Sequence, residues 1–230
     1  GSEMCIRDSF SPEADLVGGL IITGAGVDAV RHVGSRREIG LAALPLAFGA
    51  HQVIEAFAWW GLDGLVPPEL GDAAAWVYVL IAFLLPAAVP LVVRAVEPAP
   101  ARRKAMAWLG VIGAAVSAAL VLQLADGPLA VTDAGRYLDY DAGLVYGGQI
   151  AALYVAATCG PALLSSIRRV QLFGAINLVI VLGLARLQAS GLISLWCAWA
   201  AVASILIVLH LRSGEQERDS VPAASEAGES

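Results

Sequence analysis

Residues 39–60 read IGLAALPLAFGAHQVIEAFAWW: apolar throughout except for His51, Gln52 and Glu55. A helix of this length rises about 33 Å at 1.5 Å per residue, enough to cross a ~30 Å hydrocarbon core. It is too long and too uniformly apolar for a surface helix of a soluble domain. The surrounding chain has the same character. The 230 residues are 58% hydrophobic and 15% charged with a mean hydropathy of +0.74, against about 45–50% apolar and 25% charged in soluble proteins.

Reading apolar runs between charged or Pro/Gly breaks gives seven spans, at 14–32, 39–60, 73–96, 105–124, 142–165, 171–189 and 192–211. The fold class is therefore all-α: a polytopic integral membrane protein with seven transmembrane helices. Loop charge alternates along it. Arg36 and Arg37, then Arg102, Arg103 and Lys104, then Arg168 and Arg169, and finally Arg212 and Arg218 fall on one side. Asp63, Glu69, Asp72, Asp126, Asp133, Asp139 and Asp141 fall on the other. The positive-inside rule then predicts an N-terminus outside and a C-terminus in the cytoplasm, with Trp59, Trp60 and Trp76 as indole anchors at the outer ends of spans two and three. The net charge of −6 resides in acidic loops and tail, which gives no support to a nucleic-acid partner.

The domain reading has three parts. Residues 1–9, a polar run without periodicity, are expected to be adapter-derived or disordered and are set aside together with Cys5. Residues 10–212 form the bundle. Residues 213–230, rich in Glu, Ser, Gly and Ala, are expected to be a disordered cytoplasmic tail. The longest external connection, 126–141, is expected to cap the bundle through Tyr137, Tyr140 and Tyr146. Pro45, Pro86, Pro90 and Pro161 fall inside spans, where neighbouring groups must re-satisfy the carbonyls they free.

Ionisable groups inside a bilayer are costly, roughly 2.5–3.5 kcal/mol at a helix centre, so each requires a partner or a water-filled space. His51 and Glu55, four apart, lie on one helix face with Gln52 beside them. Counting from the start of each span puts Glu55 and Arg186 at similar depth, with Tyr146, Gln149 and Trp196 in the same outer layer. The expected site is an outward-facing pocket of His51, Gln52, Glu55, Tyr146, Gln149, Arg186 and Trp196 for a small molecule or a proton. The competing expectation is a lock, in which Glu55 pairs with Arg186 and the rest only hold the bundle together.

The histidines do not assemble a three-ligand metal set, no lysine within a span serves a Schiff base, and no P-loop, Gly-x-Ser-x-Gly or His-Glu-x-x-His motif is present. No cofactor can be assigned. A binding, sensing or transport bundle is the leading expectation. The alternatives are a structural or accessory subunit that contacts another membrane protein or a second copy of itself, and a lipid or quinone enzyme using His51 and Glu55 as acid and base.

Phe10-Ser11-Pro12-Glu13-Ala14-Asp15, the run from Gly49 to Trp59, and Ile193-Ser194-Leu195-Trp196-Cys197 together resemble a bacterial family of small multi-pass membrane proteins of unknown function whose members begin Met-Cys-Phe-Ser. The resemblance spans residues 10–212 and implies the seven-span bundle and a bacterial inner-membrane location. It carries no activity to transfer.

Overall fold

The computed structural model describes residues 11–187 and 191–220, and side chains in all of these except 215–220. The set-aside residues 1–9 and the distal tail, 221–230, lie outside the described residues. The elements run α1 (Pro12–Arg31), α2 (Ile39–Leu62), α3 (Pro68–Val96), α4 (Pro100–Asp126), β1 (Ala130–Asp133), β2 (Leu138–Asp141), α5 (Gly147–Leu164), α6 (Arg168–Leu187), and a last rod made of α7 (Leu192–Ala203) and α8 (Ile205–Ser220). Counting that rod as one, the described residues form seven helices, and six of them are long and apolar enough to cross a bilayer. The seventh, α1, carries Glu13, Asp15 and Asp28 in its twenty residues.

Local chemistry explains the boundaries. Ser11 caps α1 by accepting the Ala14 N–H, with Pro12 at the first turn and Glu13 and Asp15 placed favourably against the helix dipole. Prolines also open α3 and α4, so these helices begin five residues earlier than the hydropathy reading places spans three and four. Span five begins five residues later than expected, because residues 142–146 form the turn out of β2, with Gly143 and Tyr146 at positive φ. The last helix continues through 213–220, where a disordered tail was expected. Glu215, Gln216, Glu217 and Arg218 are good helix formers that extend an existing helix at little cost.

Small residues set the helix spacing. A Cβ on Gly49 would lie 2.4 Å from the Thr23 nitrogen, and one on Gly26 would lie 2.4 Å from the Leu46 nitrogen. The α1 and α2 backbones therefore approach along a seam that only glycine permits. This close approach lets α1, despite its acids, sit against the bundle and brings Asp15 to the face of α2 that carries Gln52.

The prolines of α3 are accommodated by partners on other helices. Pro86 has no N–H to offer the carbonyl of Ala82, and the Tyr154 hydroxyl of α5 donates to that oxygen over 2.6 Å. Ser117 of α4 accepts the nearby Ala87 N–H at 3.2 Å. The expectation that neighbours re-satisfy freed carbonyls holds at this position.

Two apolar clusters fill the bundle, and they segregate by end. One gathers Ile22, Leu44, Phe48, Val93, Met106, Phe173 and Ile207. The other gathers Trp59, Tyr78, Phe83, Leu120, Leu138, Tyr140 and Cys197 beneath the antiparallel hairpin, whose register pairs Val131 with Tyr140 and Thr132 with Asp139. Leu138 and Tyr140 alternate inward from β2 while Asp139 and Asp141 are more exposed, the period-two pattern of a half-buried strand. At the end opposite the hairpin, Glu97 is buried between the α3–α4 and α5–α6 connections. It accepts from the Ser166 N–H (2.7 Å), the Ser166 hydroxyl (2.6 Å), the Ser165 hydroxyl (3.2 Å) and the Ala99 N–H (3.1 Å).

Candidate functional site

The α1–α2 seam places two carboxyl groups around one amide. Gln52 Nε2 donates to Asp15 Oδ1 at 3.3 Å and to Glu55 Oε2 at 3.2 Å, and the Trp59 indole donates to Asp15 Oδ2 at 3.1 Å. Gln52, Glu55 and Trp59 occupy positions i, i+3 and i+7 of one helix and so share a face. Glu55 is 0% exposed and Gln52 4%. Among the described residues, no lysine, arginine or histidine forms an ion pair with Asp15 or Glu55.

His51 closes the other side. Its Nε2 lies 2.8 Å from the Tyr78 carbonyl. A carbonyl only accepts, so Nε2 carries the proton and Nδ1 is left as an acceptor. The imidazole stacks on the Tyr78 ring at 3.8 Å and 3°, and Tyr78 in turn stacks on Tyr140 of β2 at 5.0 Å and 19°.

Within this cluster the hydrogen-bonding capacity is not exhausted. His51 Nδ1, Gln52 Oε1, Glu55 Oε1 and the hydroxyls of Tyr78 and Tyr140 are buried with no hydrogen bond within 3.5 Å, although the hydroxyls of Tyr78, Tyr140 and Ser194 all lie toward the Glu55 carboxyl. A buried polar atom left unpaired costs about 1–3 kcal/mol. The acceptors His51 Nδ1 and Gln52 Oε1 are the two in this cluster that no neighbouring donor answers among the described residues.

Of the expected site residues, the structure brings His51, Gln52 and Glu55 together and disperses the others. Arg186 is exposed near the end of α6, so the expected pairing with Glu55 is not made. Tyr146 is 74% exposed and adopts a left-handed backbone (φ 58°) as the residue that turns the hairpin exit into α5. Gln149, one turn later, is also exposed. Trp196 is half-buried and donates to Asn177 Oδ1 at 3.1 Å, facing a different space. Trp59, read as an interfacial anchor, is instead a buried donor. Asp15, Tyr78 and Tyr140 were not singled out as site residues. Asp15 follows the Ser-Pro-Glu cap by the spacing of a first helical turn, and Tyr140 sits in the alternation Leu138-Asp139-Tyr140-Asp141.

Trp196 helps to wall a cavity of about 410 Å³ under the hairpin, lined by Phe83 of α3, Leu120 of α4, Asp139, Tyr140 and Asp141 of β2, Ile150 and Tyr154 of α5, and Cys197 of α7. Tyr154 and Trp196 meet edge to face at 5.4 Å. Tyr140 and Cys197 stand between this cavity and the acid cluster: both line the cavity and both pack with Tyr78. Among the described residues, no group of three or more His, Cys, Asp or Glu side chains converges as a metal set.

Comparison with curated proteins and with solved structures gives no match. A family model does match, over residues 4–223, a range that takes in every helix described above. The chain belongs to the family of unknown function DUF6629.

Proposed function

We propose that this chain is a membrane-embedded binding or sensing protein, inserted with the hairpin end outside, whose Asp15–Gln52–Glu55 cluster takes up a proton or a small cation. The observation that carries the reading is the unbalanced composition of the cluster. Two carboxyl groups share one neutral amide in a buried site, no basic side chain answers them among the described residues, and the neighbouring acceptors His51 Nδ1 and Gln52 Oε1 are unpartnered. One amide cannot neutralise two buried carboxylates, and buried charge without a counter-charge is strongly disfavoured. A positive species from outside the chain restores the balance, and the free lone pairs of His51 and Gln52 are acceptors suited to it.

Binding or sensing fits better than transport. A path to the far end of the bundle would need further polar stations, and Asn177 and Asp28 are committed: Asn177 bonds Phe173 and Trp196, and Asp28 bonds Arg212. Loop charge supports the orientation, since the hairpin end collects the acidic loops and the opposite end the basic ones.

The test is infrared spectroscopy of the purified chain in lipid nanodiscs across a pH series, with sodium, potassium or a large organic cation as the counter-ion. The expected result is a carboxyl band that changes with proton or ion concentration and is altered in Glu55→Gln and in Asp15→Asn. A spectrum insensitive to both, with variants that only melt earlier, would reduce the cluster to a lock between α1 and α2.

A further inference from the structure

The cavity beneath the hairpin is a second site, more open than the acid cluster and containing neither Asp15 nor Glu55, so it extends beyond the reading above. Its size, about 410 Å³, falls within the range of small-molecule pockets, roughly 300–1,000 Å³. Its floor and walls are apolar and aromatic: Phe83, Tyr140, Tyr154 and Trp196 come from four different elements. Its rim carries Asp139 and Asp141, and none of its lining residues is basic. Tyr140, buried, belongs to the same lining and is a residue through which the cavity adjoins the acid cluster.

Each feature constrains the occupant. Several aromatic rings around one space favour a cation, because the negative face of each ring attracts positive charge, most effectively when the site excludes water. Two carboxylates with no opposing arginine or lysine repel an anion and attract a cation. The apolar walls reward a ligand with a hydrocarbon body. We infer that the cavity bounded by α3, α4, α5, α7 and β2 binds an amphipathic organic ammonium ion, its apolar part against Phe83, Leu120 and Ile150 and its charged head toward the Asp139–Asp141 rim.

The probe pair is benzyltrimethylammonium and phenylmethanesulfonate, of similar size and opposite charge. Binding is measured by titration calorimetry on the full chain in a maltoside detergent, whose uncharged head offers no competing ammonium. Saturable binding of the cation at least about tenfold tighter than the sulfonate is expected. That preference should fall to within about twofold in the Asp139→Asn/Asp141→Asn double variant, and cation binding should be lost when the cavity is filled by Ala151→Trp. Equal affinity for the two probes, or no saturable binding by the wild-type chain, would overturn the proposal without reference to any variant. So would a cation preference that survives both the double variant and the filled cavity, since the ion would then sit elsewhere. Displacement by dodecylphosphocholine would identify a choline lipid head as the source of the ammonium, and failure to displace would identify a free solute. A null result here leaves the infrared test of the acid cluster unaffected.

Discussion

Trp59 donates its indole N–H to Asp15 across 3.1 Å, tying the last turn of α2 to the first turn of α1. The bond is remote in sequence, partly buried, and made to a group that bonds Gln52 as well. Helix–helix hydrogen bonds in bilayers average about 0.6 kcal/mol and reach about 1.7, and an ionisable acceptor belongs at the upper end. A double-mutant cycle of Trp59→Phe and Asp15→Asn, read by reversible denaturation in mixed micelles, should return a coupling of about 1–2 kcal/mol. Strict additivity would mean that the two side chains are neighbours without an energetic bond.

Tyr154 and Pro86 form a second testable pair. The phenol exists, in energetic terms, to answer a carbonyl that the proline leaves unpaired. In the wild-type chain Tyr154→Phe should therefore cost about 1–3 kcal/mol, the penalty for a buried acceptor with no donor. In a Pro86→Ala background the restored N–H of residue 86 can donate to Ala82, and the same change should cost less than about 1 kcal/mol. Equal costs in the two backgrounds would show that the hydroxyl serves something other than the freed carbonyl.

Arg186 supplies a prediction of the opposite kind. Its guanidinium is exposed, with no ion pair to Glu55 among the described contacts, and substitutions at exposed positions without special contacts change stability by about 0.5 kcal/mol or less. Arg186→Ala should leave the thermal midpoint within a degree or two of wild type, roughly the shift such an energy gives in a chain of this size. It should also leave the ion-dependent infrared signal of the acid cluster unchanged. Loss of that signal would restore the depth-matched pairing of Glu55 with Arg186.

The contrast between Glu55 and Arg186 shows what the sequence can and cannot convey. Hydropathy and loop charge are one-dimensional quantities, so seven helices and their order were legible. The helical period also joined His51 to Glu55, because both belong to one helix. What a single sequence lacks is the rotation of each helix about its axis. Arg186, Gln149 and Tyr146 are exposed, whereas Asp15, beside a capping motif, faces the cluster. The glycine seam that brings Asp15 there depends on Gly26 and Gly49 meeting Leu46 and Thr23, contacts that composition cannot distinguish from the many other glycines. The hairpin was hidden for a different reason: four-residue strands between long apolar helices give too short a pattern to read, and so the stacking of Tyr140 on Tyr78 was invisible.

Glu97 yields a prediction in pH. Burial acts to raise its pKa, but bonds from the Ser166 hydroxyl and N–H, the Ala99 N–H and the Ser165 hydroxyl together outweigh burial and hold the carboxyl below the usual carboxylate range. A group whose folded-state pKa is lowered stabilises the fold above its unfolded value, near 4.3 for a glutamate, and that contribution is lost as pH falls through the folded value. The clamp between the α3–α4 and α5–α6 connections should hold at neutral pH and weaken under acid. Limited proteolysis at these two connections, using an acid-active protease over a falling pH series, should show cleavage that rises steeply in wild type below about pH 4. In Glu97→Gln, cleavage should already be elevated at neutral pH and nearly flat across that window apart from the protease's own pH profile, which an unfolded control substrate corrects. Ser166→Ala, which removes one donor and leaves the carboxyl, should shift the wild-type transition to higher pH. Parallel curves for wild type and Glu97→Gln would assign the acid sensitivity to a carboxylate elsewhere in the bundle.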